Sequence, residues 1–203
     1  MIAGARHYAD FVTSPADRAH ALRADAARNR ARVLQVAREQ LAAGDDSLQL
    51  NTIARLAGVG VGTVYRHFSD RHALVEALSA ERFHELVAEA QAAAAEADAV
   101  AGLHRLLRFT LGRLPTNPGF AAVLESADDV DPQTSAMKAE LDRAVTELLD
   151  RARRVGAVRH DIEADDVRRL VCGVDHAVRS GGGDPRHAEL YLDVLLEGLR
   201  PPR

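Results

Sequence analysis

Nine arginines (Arg18, Arg23, Arg28, Arg30, Arg32, Arg38, Arg55, Arg66 and Arg71) lie between residues 18 and 72 against five acids (Asp25, Glu39, Asp45, Asp46 and Asp70). That segment carries +4 in a chain of formal net charge −4, so the remainder carries −8. A basic segment joined to an acidic remainder is the pattern of one anion-binding module, and phosphate backbones are the commonest large anion. A solvated charged helix face accounts for the charge alone equally well. Other residue types with chemical potential lead less far. Gly58-x-Gly60-x-Gly62 would let backbone N–H groups cradle a phosphate, but the spacing is GxGxG and not GxGxxG, and no strand precedes it. The nine histidines include no pair at i, i+4 to grip a metal. Cys172 has His176 one turn on, yet a small buried hydrophobe explains it better than a nucleophile. No catalytic residue, metal or cofactor is expected.

The elements that must position the basic segment are helical. Thirty-eight alanines, five phenylalanines, three tyrosines, no tryptophan and no sustained β-branched alternation point to an all-α chain. Residues 24–43 place Val33, Val36, Ala37 and Leu41 on one stripe, and Gly44-Asp45-Asp46-Ser47 stops the helix. Ser14-Pro15-Ala16-Asp17 is a second possible start, with residues 1–13 read as a loose tail. Leu50, Ile53, Ala54 and Ala57 then follow at i, i+3, i+4 and i+7, Gly58 ends that run, and Val61, Val64, Tyr65 and Phe68 repeat the spacing. Two short helices joined by a tight glycine turn under a longer first helix form a helix-turn-helix, whose second helix fits the roughly 12 Å wide major groove of DNA. Val64 and Phe68 are expected in its core, and Ser69-Asp70 as a cap.

The longer string Ile53-Ala54, GVGVGTVYRHF (58–68), Asp70-Arg71 and Ala73-Leu74 resembles the DNA-binding domain of the TetR family of bacterial regulators, over about residues 24–80. The resemblance implies that Tyr65 and His67 are presented to phosphate oxygens by the recognition helix and that Arg71, where the family often has lysine, clamps a phosphate. Thr63 suits phosphate or a thymine methyl, Gln49 and Asn51 open the first motif helix, and Asn51 suits adenine. Gln49 stands where a capping serine or threonine is usual, and Gly60, Val61 and Gly62 replace polar base readers. Direct readout is therefore expected to be sparse, with selectivity resting on Asn51, Thr63, Tyr65, Arg66, contact from Val61 and Gly62, and DNA shape. Arg28, Arg30 and Arg32 are candidates for phosphates or the minor groove, or an ordinary exposed helix face.

The second half reads as a helical bundle. Helices are expected over 73–99, 100–114, 120–127, 132–154, 163–179 and 189–199, with breaks at Pro115-Thr116-Asn117-Pro118-Gly119, Gly156 and the Ser180–Pro185 segment. Val167, Leu170, Val171, Val174 and Val178 form one stripe, and Leu192, Leu195, Leu196 and Leu199 a broad apolar side. This pair resembles the family's four-helix homodimer interface, which implies two recognition helices about 34–36 Å apart on a palindromic double-stranded operator. The resemblance also implies a pocket for a small apolar effector, with Leu106, Phe109, Phe120, Leu124, Met137 and Leu141 as candidate walls and His104, Asp175 or His176 as polar contacts.

The expected organisation is thus an N-terminal extension over 1–23, a DNA-binding domain over 24–72 and a ligand-binding and dimerisation domain over 73–203. No apolar run reaches the roughly 18 residues of a membrane helix, no signal-peptide pattern opens the chain, and the lone cysteine forms no internal disulfide, so a cytoplasmic location without membrane contact is expected. The function implied is a ligand-responsive repressor rather than an enzyme. A helical interaction protein is the rival, and it leaves the recognition-helix string unexplained.

Overall fold

The computed structural model describes residues 14–114 and 118–202, and all regular structure among them is helical. In chain order the helices are α1 (Pro15–Ala42), α2 (Leu50–Ala57), α3 (Val61–His67), α4 (Arg71–Ala94), α5 (Ala99–Arg113), α6 (Pro118–Glu125), α7 (Pro132–Arg154), α8 (Ala164–Ser180) and α9 (Pro185–Gly198). The chain divides into two compact units between His67 and Phe68, five residues before the division drawn from the sequence. Local bonding explains the shift. Asp70 caps α4, its carboxylate accepting from the Ala73 N–H at 2.9 Å, so the residues after α3 belong with the helix they start.

In the first unit, α2 packs on α1 and on α3. Val33, Leu34, Ala37, Leu48, Leu50, Ile53, Ala54, Ala57 and Val64 are buried, and the small side chains of Ala54 and Ala57 permit the close crossing. Gly58 closes α2 in the left-handed conformation (φ 64°, ψ 34°), where a side chain would be strained. Leu48 adopts φ 46° without being glycine and is held there with its side chain buried just before α2. Helix α1 starts nine residues ahead of Ala24. Ser14 accepts from the Ala16 N–H at 3.3 Å, Pro15 has no N–H that needs an acceptor, and no breaker follows before Gly44. The expected tail over 1–13 lies outside the described residues.

In the second unit, α4 packs against α5, α6 and α7, and α8 lies against α5, α6, α7 and α9. Phe83 and Phe120 meet edge to face at 4.8 Å between centroids. The buried Glu76 carboxylate accepts the backbone N–H groups of Val130 and Asp131 at 2.7 and 2.8 Å, tying α4 to the segment that opens α7.

Helix α6 occupies Pro118–Glu125 where 120–127 is expected, so Pro118-Gly119 open a helix instead of breaking one, and two further helix limits differ by four residues or more. Helix α4 ends at Ala94, inside the alanine run and short of residue 99, for a tertiary reason: the Arg151 guanidinium of α7 donates to the carbonyls of Ala94, Glu96 and Ala97, satisfying groups that a helix end leaves open. Asp98 then caps α5 by accepting from Val100 and Ala101, and at Gly102 a Cβ would come within 2.6 Å of the Ala93 carbonyl oxygen, so only glycine allows α5 to approach the end of α4 this closely. Helix α9 starts at Pro185 and not at 189, because Asp184 caps it through the Arg186 N–H at 2.9 Å.

Candidate nucleic-acid interface

Helix α3 has seven residues, and Val64, with no exposed surface, is its buried anchor. Around that anchor the helix shows the outside a face of mixed polar, apolar and bare-backbone positions. Tyr65 is 48% exposed, Val61 sits one turn before it, and Gly62 and Arg66 form the next exposed pair one turn apart. Thr63 and His67 are half-buried. Arg66 donates from Nη2 to the Thr63 hydroxyl at 2.9 Å, which places the guanidinium along the helix and leaves its other donors for a partner. The first turn of α3 forms on the Gly60 carbonyl, which accepts from Thr63 and Val64 at 2.8 and 3.2 Å. Gly62 meets nothing within 4 Å of an added Cβ, so its lack of a side chain is no requirement of the unit's packing. It leaves bare backbone on the outer face.

Gln49 occupies the cap position of α2, is exposed, and makes no side-chain cap bond, so the first-turn N–H groups of α2 keep their capacity for an acceptor. Asn51 is exposed in that same turn. Arg71 is exposed as the first residue of α4, in the second unit.

The remaining site candidates lie in the second unit. A cavity of about 40 Å³ is walled by Leu106, Leu124 and Leu141 of the expected set, together with Leu86, Leu103, Leu107, Thr110, Asp142, Val145, Ala164, Val167, Arg168 and Val171. Phe109, Phe120, Met137, Asp175 and His176 are not on its wall. Phe109 lies under the Arg113 guanidinium at 4.7 Å, Phe120 pairs with Phe83, and Met137 is buried on α7. Asp175 is buried and paired with Arg179 at 2.7 Å, and the exposed His176 reaches the Ser180 hydroxyl. His104 is exposed and lines a separate hollow with Val158 and Leu199. Arg168 and Thr110 were missed. Thr110 falls on the same helical face as Leu103, Leu106 and Leu107, which is its sequence signal, whereas Arg168 has none and joins the wall only through packing of α8 against α5.

The expected stripe on α8 divides in two. Val167, Val171 and Val178 are buried together with Cys172 and Asp175, whereas Leu170 is 42% exposed and Val174 half-buried. An apolar arc broad enough to cover two faces cannot tell them apart by period alone. On the outer side Leu170, Gly173, Val174 and Ala177 of α8 lie with Tyr191, Val194 and Gly198 of α9 along one shallow groove. Leu190 and Val194 are 55% and 64% exposed. Burial pushes the Cys172 thiol up to about 12, with Glu125 and Asp175 adding to the shift, so it stays protonated and unreactive near neutral pH. Among the described residues no helix is long and apolar enough to cross a membrane.

Comparison with known proteins agrees with this architecture. Residues 33–78 match the model of bacterial regulatory proteins of the TetR family. Residues 98–201 match the C-terminal domain of SbtR-like transcriptional regulators, a TetR-type domain covering more than half of the chain. The chain belongs to the TetR family. It is similar to the HTH-type transcriptional repressor Rv1474c of Mycobacterium tuberculosis, with 28% identity over 86% of this chain and 94% of that protein. Among solved structures it resembles the TetR transcriptional regulator SCO0520 of Streptomyces coelicolor, at 29% identity and TM-score 0.51 over 86% of this chain and 99% of the other. A TetR-family regulator from Pectobacterium atrosepticum shares the fold at TM-score 0.60 and 20% identity, over 89% of this chain and 99% of the other. As a TetR-family member the protein is a DNA-binding transcriptional regulator of the repressor type, built from a helix-turn-helix and an all-helical C-terminal region.

Proposed function

We propose that this regulator is a cytoplasmic homodimeric repressor that holds a palindromic operator through α3 and releases it when a small apolar effector occupies the C-terminal bundle. The exposed face of α3 carries the reading: hydrogen-bonding and bare-backbone positions surround a single fully buried anchor, which suits a helix that rests on its own unit and offers the rest of its surface to DNA. Tyr65, His67 and Arg71 contact phosphates, as do the N–H groups opening α2, while Asn51, Thr63 and Arg66 reach base edges and Val61 and Gly62 allow close approach. The apolar groove along α8 and α9 supports a second copy as its cover, since pairing equal faces about a two-fold axis buries both at once. Release follows if the effector prefers the state in which the two recognition helices are wrongly spaced, because only a difference in affinity between states shifts their balance.

Fluorescence anisotropy of the full chain against the DNA upstream of its own gene and a scrambled control, across a salt series, tests the reading. Tight, sequence-selective binding that weakens steeply with salt is expected. Equal weak binding to that DNA, to the control and to a pool enriched from random sequence would overturn it. Sedimentation velocity in parallel is expected to show a dimer.

A further inference from the structure

The cavity between α4, α5, α6, α7 and α8 has an apolar wall interrupted by three polar residues, Thr110, Asp142 and Arg168. Thr110 has already used its donor, on the Leu106 carbonyl at 2.8 Å, and can only accept. Asp142 is exposed and keeps its water. Arg168 differs from both. Its Nη1 donates to the Leu124 carbonyl at 2.9 Å and its Nη2 to Asp165, but its Nε is buried and meets no hydrogen-bond partner among the described residues. A guanidinium N–H withdrawn from water without an acceptor is unfavourable, and in a cavity wall it marks a place for an acceptor from outside the chain.

We infer that this cavity takes a compact apolar carboxylate whose oxygen accepts the Nε–H of Arg168. The inference rests on the proposed reading of the bundle as an effector domain and names its ligand class. A carboxylate fits better than a neutral acceptor because a hydrogen bond with both partners charged is roughly twice as strong as a neutral one. Asp165 offsets the guanidinium charge at Nη2 but leaves the Nε–H without an acceptor. Volume sets the size of the acid: about 40 Å³ exceeds the roughly 10–15 Å³ that a single water needs and falls far below the roughly 300–1,000 Å³ of a drug-sized site. An apolar cavity that takes benzene measures about 150 Å³, so acetate and propionate are the suitable probes.

Isothermal titration calorimetry of the full chain with acetate, acetamide, propionate and propionamide tests the inference. Each acid is expected to bind about 10-fold or more tightly than its amide, R168M to erase that preference, and R168K to retain part of it. Amides binding as tightly as acids, no binding of either acid at millimolar concentration, or an unchanged preference in R168M would overturn it. Circular dichroism checks that R168M is folded; if it is not, the acid-to-amide ratio of the natural chain and the R168K variant decide. DNA anisotropy of the natural chain, with and without each acid, separates the two readings. Loss of DNA binding on adding an acid supports both. Failure to bind any DNA at all overturns the repressor reading while the calorimetry still decides the site.

Discussion

Helices α3 and α8 each have one face that their own unit buries and one that it leaves outside, and the outer faces differ in kind. On α3 the exposed residues are Val61, Gly62, Tyr65 and Arg66, a mixture of donors, bare backbone and one small apolar contact. On α8 the outer residues are Leu170, Gly173, Val174 and Ala177, continued by Leu190 and Val194 on α9. Water satisfies the first surface as well as a phosphate backbone does, so its partner can come and go with salt. Nothing but another apolar surface satisfies the second, which suits a lasting contact. The two surfaces therefore suit partners of different chemistry, although both lie on helices.

The strongest way to break this comparison is to charge the α8–α9 face. Leu170→Asp combined with Val194→Asp is expected to give a folded monomer by sedimentation velocity and to weaken operator binding by about 100-fold or more, because a carboxylate buried at an interface without a counter-charge is expensive. A variant that stays dimeric would place the subunit contact elsewhere. Tyr65→Ala comes next. It removes an exposed donor, so thermal stability should hold within about 0.5 kcal/mol while DNA affinity falls about 10-fold, and by the same factor on operator and on unrelated DNA, as expected of a phosphate contact.

The cap of α4 gives a smaller effect. The bond from the Ala73 N–H, with Ser69 and His72 contributing, holds the Asp70 carboxyl below its ordinary 3.8, so the folded state binds its proton less readily than the unfolded state. Its contribution is present in full above about pH 4 and fades as the pH falls through the lowered folded value. Asp70→Ala should cost about 1 kcal/mol in chemical denaturation at pH 7, and the gap from the natural chain should narrow in acid. The smallest effect sharpens the comparison most. Gly62→Ala fills open space on a helix, so it should raise stability by about 0.5–1 kcal/mol in denaturant melts while weakening DNA binding, since its methyl stands where backbone is proposed to approach the duplex. A gain in both would remove Gly62 from the interface.

Legibility in the sequence followed the range of the interactions. Leu50, Ile53, Ala54 and Ala57, then Gly58, then Val64 mark a motif whose packing is set by residues within about twenty positions of one another, and each lies where its spacing predicts. The end of α4 does not, because it is held by Arg151, 57 residues beyond Ala94. The cavity wall was partly legible. Leu106, Leu124 and Leu141 are on it, whereas Phe109, Phe120 and Met137 share their apolar character and pack elsewhere.

By itself the sequence determined an all-helical chain, a helix-turn-helix at residues 50–67, its glycine turn and the family it belongs to. These follow from periodicity, from one left-handed glycine and from side chains that meet within a few turns. The tertiary structure alone decided which of two apolar faces of α8 is buried, that Arg168 reaches a cavity wall with an unsatisfied N–H, and that Glu76 holds the opening of α7. Such pairings join residues tens of positions apart, and many buried partners satisfy the same hydrophobic pattern, so the choice among them is made only when the helices pack.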